Sequence, residues 1–230
     1  MRILVLGVGK TGKLVAEVAA EHGHSVHVLD ATENKGGAAL TPPFVAGFDA
    51  VIDFTTPEAV LTNMRAVLAT GAKMVVGTTG WYERLQDMSQ LADRRGASLL
   101  YGTNYSIGVQ ITMELAKRMA DALKGLGYTF SIDETHHTSK LDSPSGTALT
   151  LRDVVAKEVG LEDEIVITAH RTGDAAGIHT LEADSAGDKL VLTHESKSRR
   201  AFAEGAVRAA EWLTEQKPGV YNFRDIYSKL

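Results

Sequence analysis

The first thirteen residues, MRILVLGVGKTGK, constrain the fold more than any other stretch of the chain. Arg2 to Gly7 is a short apolar run rich in branched side chains, the pattern of a strand buried on both faces. Glycines follow at Gly7, Gly9 and Gly12. Leu14, Val15, Val18 and Ala19 then recur at helical spacing until Gly23 closes the segment. A strand, a glycine-rich turn and a helix open two different nucleotide folds. A phosphate-binding P-loop needs Gly-x-x-x-x-Gly-Lys-[Ser/Thr]. Its first glycine would stand where this chain has Leu4, inside the strand. A large side chain there removes the freedom that lets successive N–H groups wrap a phosphate. The alternative pattern, Gly-x-Gly-x-x-Gly, is complete. Gly7 permits the tight turn, Gly9 lets the backbone approach a pyrophosphate, and Gly12 allows helix and strand to pack closely. The anion would rest on the helix N-terminus.

A second signal supports the dinucleotide reading. Asp30 closes the next apolar strand, Ser25–Asp30, 18 residues after Gly12, where an acid can hydrogen-bond a ribose hydroxyl. The same charge repels a 2′-phosphate. Two like charges ~4–5 Å apart at an effective dielectric between ~20 and ~80 cost roughly 1–4 kcal/mol. Ala31 and Thr32 follow, so no adjacent cation offsets that cost, and the expected preference is NADH over NADPH.

The rest of the chain continues the alternation. Residues 31–48, with Gly36-Gly37 and Pro42-Pro43, read as irregular loop. Asp49–Phe54 is a strand, and Thr56-Pro57-Glu58 starts a helix with an N-cap, a first-turn proline and a first-turn acid. AKMVVGTT and ASLLYGTN are two further strands around a helix over Tyr82–Arg94. This rhythm predicts a doubly wound parallel sheet.

After Asn104 the pattern changes. A helix spans about Val109–Leu123, with Ile111, Leu115, Met119 and Leu123 on one face. YTFSIDETHH alternates as a half-buried strand, and a helix near Ala148–Val159 follows. EIVITAHR, GIHTLEAD and DKLVLTHES are strands without long helices between them. A last helix, Phe202–Leu213, precedes a short tail with Pro218-Gly219. The expected fold is α/β: a Rossmann-type sheet from residues 1–104 plus 205–230, with an inserted α+β domain, 105–204, on a mixed sheet.

Composition narrows the function classes. The formal net charge of −5 offers nothing to nucleic acid. The absence of cysteine excludes disulfides, thiolate metal sites and a catalytic thiol. No apolar run approaches the roughly 20 residues of a membrane span. The opening apolar stretch breaks at Lys10, too early for a signal peptide, so a cytoplasmic protein is expected.

The segment ETHHTSKLDSPSGTA, Glu134 to Ala148, concentrates two histidines, a lysine, acids and a Ser/Gly/Thr-rich loop between a strand and a helix. On a strand His136 and His137 point to opposite faces. Lys140 lies on the loop, and Gly146 and Thr147 open a helix whose N-terminus favours an anion. A lysine, two imidazoles and a helix N-terminus suit a small dicarboxylate. His136, His137 and Asp142 have no recognised metal-ligand spacing, and no metal is expected. Ser143 stands where a nucleophile elbow needs glycine. His170, His179 and His194 fall on predicted strands and read as structural.

The same segment resembles the Glu-x-His-His-x-x-Lys-x-Asp-x-Pro-Ser-Gly-Thr-Ala signature of the 4-hydroxy-tetrahydrodipicolinate reductase (dihydrodipicolinate reductase) family. VIDFTTPEA, VVGTTGW, NYSIGV, SKSRRAFAEGAVRAAEWL and PGVYNFRDI also look like family blocks in family order. The resemblance implies NAD(P)H-dependent reduction of 4-hydroxy-tetrahydrodipicolinate in lysine and diaminopimelate biosynthesis, by a homotetramer. It implies that Gly7, Val8, Gly9, Lys10, Thr11 and Gly12 hold the pyrophosphate and Asp30 the ribose. Gly77, Thr78 and Thr79, with Gly102, Thr103, Asn104 and Tyr105, would lie against the cofactor towards the nicotinamide. His136 would be the proton donor or acceptor and Lys140 the second catalytic residue, with His137, Gly146 and Thr147 on the substrate.

Three positions depart from the family pattern. The nucleotide turn is one residue shorter than the commoner Gly-x-x-Gly-Arg-Met-Gly form. Ser139 stands where a basic or aromatic residue often precedes the lysine, and Ser143 replaces the usual alanine. Three other readings compete: an NAD-sensing module without turnover, another nicotinamide dehydrogenase, and a P-loop phosphotransferase. The intact His136/Lys140/Gly146-Thr147 set opposes the first, the long signature the second, and Leu4 the third.

Overall fold

The opening apolar run forms strand β1 (Arg2–Leu6) and the glycine turn leads into helix α1 (Lys10–Glu21) in the computed structural model, which describes residues 1–160 and 164–230. There follow β2 (Ser25–Leu29), the one-turn helix α2 (Pro42–Val45), β3 (Ala50–Asp53), α3 (Pro57–Leu68), β4 (Lys73–Val76), α4 (Leu85–Arg95) and β5 (Ser98–Tyr101). Then come α5 (Ile107–Leu123), β6 (Thr129–His136), α6 (Gly146–Val159), β7 (Val166–Arg171), β8 (Ile178–Asp184) and β9 (Lys189–Glu195). The chain ends with α7 (Arg200–Thr214), β10 (Gly219–Asn222) and α8 (Phe223–Ile226). It divides into two units, residues 1–107 with 199–230, and residues 108–198.

In the first unit six strands pair in the order β10-β5-β4-β3-β1-β2, and every pairing is parallel. Period-two alternation sends Ile3 and Val5 to one face and Leu4 and Leu6 to the other. The first pair packs with Val15 and Val18 of α1 and Ala206, Val207 and Leu213 of α7. The second packs with Val60, Met64 and Val67 of α3 and with Met88 and Ala92 of α4. All of these side chains are buried, so both faces are covered and the sheet is doubly wound. Leu4, on β1, is fully buried.

The second unit is a four-stranded mixed sheet, β7-β6-β8-β9, in which only β6 and β7 run parallel. Phe130, Ile132, Leu181 and Ala183 face a core built with Val109, Met113 and Ala116 of α5 and Leu151 and Val155 of α6.

Three sequence expectations need correction. The stretch 31–48 is not wholly irregular: Lys35–Gly37 makes a 3-10 turn and Pro42–Val45 a helical turn begun by the paired prolines, whose fixed φ suits a first turn. The tail after Pro218 is a sixth strand, β10, which pairs with β5 from Gly219↔Ser98 to Asn222↔Tyr101. The stripe Ile111–Leu115–Met119–Leu123 is only half covered: Met119 and Leu123 pack partly buried against the core. Ile111 and Leu115 are exposed, at 46% and 47%, and Val109, Met113, Ala116 and Ala120 face the core instead.

Candidate functional site

Strand order reverses around β1, which has β2 on one side and β3 on the other. A crevice opens outside the carboxyl ends of strands at such a switch point. Here it is a cavity of ≈ 490 Å³, walled by Gly7–Gly9 after β1, Asp30 and Ala31 after β2, Phe54–Thr56 after β3, and Asn34–Gly37. The glycines explain its floor. Gly7 has φ +104°, and a Cβ there would lie 2.3 Å from the Phe54 carbonyl oxygen. A Cβ on Gly12 would lie 2.2 Å from the Gly7 carbonyl oxygen, so α1 meets the turn in direct backbone contact. A Cβ on Gly9 would meet nothing within 4 Å, and so would project into open space. Gly9 is the N-cap of α1, makes no side-chain cap, and no acid occupies the first turn. The chain thus presents uncapped N–H groups and the positive helix end at the cavity, the requirements for a pyrophosphate.

Asp30 stands on the cavity wall. Its Oδ1 accepts hydrogen bonds from the backbone N–H groups of Thr32 at 2.7 Å and Glu33 at 2.8 Å, which fix the carboxylate. Lys35 lines the same cavity, a cation that the immediate sequence neighbours of Asp30 did not reveal.

The loops after β3 and β4 are tied together by a residue the sequence reading missed. Asp53 is fully buried. It accepts from Thr55 N at 3.0 Å, Thr55 Oγ1 at 2.7 Å, Thr78 Oγ1 at 2.7 Å and Asn63 Nδ2 at 2.9 Å. Burial pushes its carboxyl up, against the pull of those four bonds. Thr78 therefore turns its hydroxyl inward and also accepts from Thr55 N at 2.8 Å. Gly77 lies under the Phe54 ring, which a Cβ would meet at 2.2 Å. Tyr105 is buried, packs on Phe223 with ring centroids 4.6 Å apart, and donates its hydroxyl to the Val76 carbonyl at 3.0 Å. Asn104 accepts from Ser106 N at 2.9 Å, and Thr103 is exposed. Gly77–Thr79 and Gly102–Tyr105 leave the carboxyl ends of β4 and β5, the same sheet edge as the glycine turn.

The second unit carries the histidine-rich segment. His136 ends β6 and is buried, and His137, the next residue, is half-buried and bonded through Nδ1 to Ser139 Oγ at 2.8 Å. Lys140 pairs with both oxygens of Asp142 at 2.8 and 2.9 Å, and its hydrogen bond holds the Asp142 carboxyl below the usual range. Ser145 caps α6, its Oγ accepting from Ala148 N at 3.1 Å, so Gly146 and Thr147 are the first residues of that helix.

Beneath lies a buried polar cluster. Glu134 Oε1 accepts from Ser145 N and from Arg171 Nη2, each at 3.0 Å. Glu134 Oε2 lies 3.4 Å from His136 Nδ1 and 3.7 Å from His179 Nε2. His179, read from sequence as structural, belongs to this cluster: β6–β8 pairing sets it opposite Glu134, and its ring meets that of His136 edge-on at 5.0 Å. Burial pushes His136 below the ordinary imidazole range despite the adjacent carboxylate. Burial, and then His136, push His179 down to about 4. Burial also raises Glu134, but hydrogen bonds from Ser145 and Arg171 outweigh it and hold the carboxyl low.

A glycine-turn crevice in a doubly wound parallel sheet, with an acid–base cluster in a second unit, defines a dinucleotide-dependent oxidoreductase. The chain belongs to the dihydrodipicolinate reductase family: residues 1–105 match the family model for the N-terminus of dihydrodipicolinate reductase, and residues 108–227 that for its C-terminus. It is 34% identical to the 4-hydroxy-tetrahydrodipicolinate reductase of Christiangramia forsetii, over 100% of this chain and 99% of the relative. It is 37% identical to that of Magnetococcus marinus, over 98% and 93%. The dipicolinate-bound dihydrodipicolinate reductase from Paenisporosarcina sp. TG-14 shares the fold, with a TM-score of 0.79 at 22% identity over 98% of this chain and 99% of that one. The family works with a nicotinamide cofactor. Among the described residues no helix is long and apolar enough to cross a membrane.

Proposed function

We infer that this chain reduces 4-hydroxy-tetrahydrodipicolinate to tetrahydrodipicolinate, a step of lysine and diaminopimelate biosynthesis, with NADH preferred over NADPH. The observation that carries the reading is the folded form of residues 134–148: a buried Glu134–His136 strand end, Lys140 on the following loop, and the α6 N-terminus at Gly146. The first unit would hold the dinucleotide on Gly7–Gly12, with Asp30 on the adenosine ribose. Gly77, Thr79, Thr103 and Asn104 would contact it towards the nicotinamide, while Thr78 and Tyr105 hold the frame from the inside. The second unit would hold the substrate.

The bound nicotinamide supplies hydride. The chain orients the acceptor and supplies the proton. Lys140 and the α6 N-terminus at Gly146 and Thr147 hold a substrate carboxylate, with His137 beside them. That carboxylate competes with Asp142 for the Lys140 ammonium, and an exposed pair of this kind is worth only about 0–1 kcal/mol. Withdrawing density from the acceptor as hydride arrives is electrostatic stabilisation of a developing charge. His136 moves the proton. Burial keeps its ring neutral in the resting chain, and a dianionic substrate beside it raises its proton affinity, bringing it towards the working range of a general acid.

Asp30 sets the cofactor preference by repelling a 2′-phosphate, and Lys35 on the same cavity reduces that penalty without removing it. We place the activity in the cytoplasm and in a homotetramer assembled through the mixed sheet, whose edge strands expose Val166, Leu190 and Val191. A coupled assay tests the function. Substrate is generated in situ from pyruvate and aspartate semialdehyde by its synthase, and NADH and NADPH consumption are followed at 340 nm in parallel. Consumption of both, faster with NADH, is expected. No consumption despite tight NADH binding would favour an NAD sensor, and equal efficiency would remove Asp30 from cofactor choice.

A further inference from the structure

Glu134 is the hub of the buried cluster, yet the reduction makes no direct use of it. It is 1% exposed and points to the same face of β6 as His136, two residues on. Its Oε1 is saturated by Ser145 N and Arg171 Nη2. Its Oε2 makes no hydrogen bond among the described residues, and neither does His136 Nδ1, 3.4 Å away. A buried carboxylate oxygen and a buried ring nitrogen at that separation need only a small ring rotation to form the bond that burial demands.

His179 is not the donor to Oε2. Its Nε2 lies 3.2 Å from Ser145 Oγ, closer than the 3.7 Å to Glu134. Ser145 Oγ and His179 Nε2 therefore bond to each other, whichever of the two carries the proton, and Nε2 is engaged away from Glu134. That leaves His136 Nδ1–H as the donor. The other nitrogen, Nε2, faces the main chain at Gly177, where a Cβ would sit only 3.0 Å from it.

We propose that Glu134 is the positioning residue of this site: it holds His136 in the Nδ1–H tautomer, so that Nε2 is the atom that takes up and delivers the proton. The proposal rests on the reductase reading, with His136 as the proton-transferring group. Carboxylates orient catalytic imidazoles in this way in other enzymes. The charged and titratable groups facing His136 are Glu134 on β6, Arg171 on β7, His179 on β8, and Lys140 and Asp142 on the loop before α6. Removing the Glu134 charge leaves Lys140 and Arg171 less opposed, and the proton affinity of His136 falls.

The test is long-range ¹H–¹⁵N correlation NMR on the full chain with ¹⁵N-labelled histidine, beside kinetics of Glu134→Gln. In the wild type His136 is expected to carry its neutral-state proton on Nδ1. An Nε2–H tautomer there overturns the proposal whatever the activity, and leaves the reductase assignment standing. In Glu134→Gln the tautomers mix and kcat falls about 10²-fold, the lower end of what a positioned proton donor contributes. KM stays nearly unchanged, and the limb of the kcat profile governed by protonated His136 moves to lower pH. A folded variant with the wild-type tautomer and an unmoved limb refutes the role. Because Glu134 also holds Ser145 N, a variant that does not fold leaves the decision to the wild-type spectrum.

Discussion

Replacing Gly12 and Gly9 by alanine, separately, distinguishes two duties of one turn. In Gly12→Ala the new methyl lies 2.2 Å from the Gly7 carbonyl oxygen and 2.9 Å from its carbon, both backbone atoms that have no rotamer to escape through. Carbon–oxygen contacts settle near about 3.3 Å, so the first turn of α1 must move by about 1 Å. That turn is anchored by Val15 and Val18, fully buried against Ile3 and Val5, in a close-packed interior that resists such a shift. Overpacking costs roughly 1–3 kcal/mol, and a clash with backbone atoms that cannot rotate away falls in the upper part of that range, about 2–3 kcal/mol, of which the better helix propensity of alanine offsets about 1 kcal/mol. The net loss is about 1–2 kcal/mol, a Tm decrease of roughly 2–8 °C for a chain this size. In Gly9→Ala the methyl meets no protein atom within 4 Å, and φ −66°, ψ 178° suits alanine. Stability changes by less than about 1 kcal/mol. NADH affinity falls at least tenfold, about 1.4 kcal/mol, because the methyl occupies the approach to the α1 N-terminus. Thermal unfolding and calorimetric NADH titration on both variants read the two effects. A Gly12→Ala protein as stable as the wild type would refute the packing argument. A Gly9→Ala protein that binds NADH normally would refute the placement of the pyrophosphate.

Three further outcomes are expected. His136→Gln should lower kcat by roughly 10²–10⁴ while leaving NADH affinity unchanged; near wild-type turnover would take His136 out of the proton step. His179 is held neutral by burial, with a folded pKa of about 4. Between about pH 6.5 and 4 the unfolded chain therefore binds the extra proton, and this group's contribution, about 3 kcal/mol in full, is lost as pH falls through that window. Urea titrations across pH should show a shallower acid decline for His179→Asn, and identical slopes would contradict the assignment. Val191→Asp, on exposed β9, should shift the mass by light scattering towards monomer with little change in monomer stability; an unchanged mass would exclude this strand from the assembly.

What was legible in the sequence was local. The strand, the glycine turn and α1 are consecutive, so their pattern holds both the fold class and the crevice. β10 was not legible, because four residues after a proline carry little periodicity and their partner β5 lies more than a hundred positions earlier. On α5 the helix was readable but its face was not. Ile111 and Leu115 make one apolar stripe, Val109, Met113, Ala116 and Ala120 another, and a 3.6-residue period does not say which one the sheet covers.

The candidate site divides along the same line. His136, Lys140 and Gly146 lie within eleven residues, so their chemistry was visible as a cluster in one segment. His179 enters through strand register alone: a one-residue slip of β8 against β6 would turn it to the opposite face and put Thr180 across from Glu134. Asp53 was hidden differently. It ends β3 between the apolar Ile52 and Phe54, and only the convergence of Thr55, Asn63 and Thr78 on its carboxylate distinguishes it from an ordinary strand-end acid. Both residues act through other residues: Asp53 ties the loops after β3 and β4, and His179 helps desolvate His136. Positioning residues of this kind need no motif spacing of their own. A single sequence therefore shows the groups that meet the ligands more readily than the groups that hold them in place.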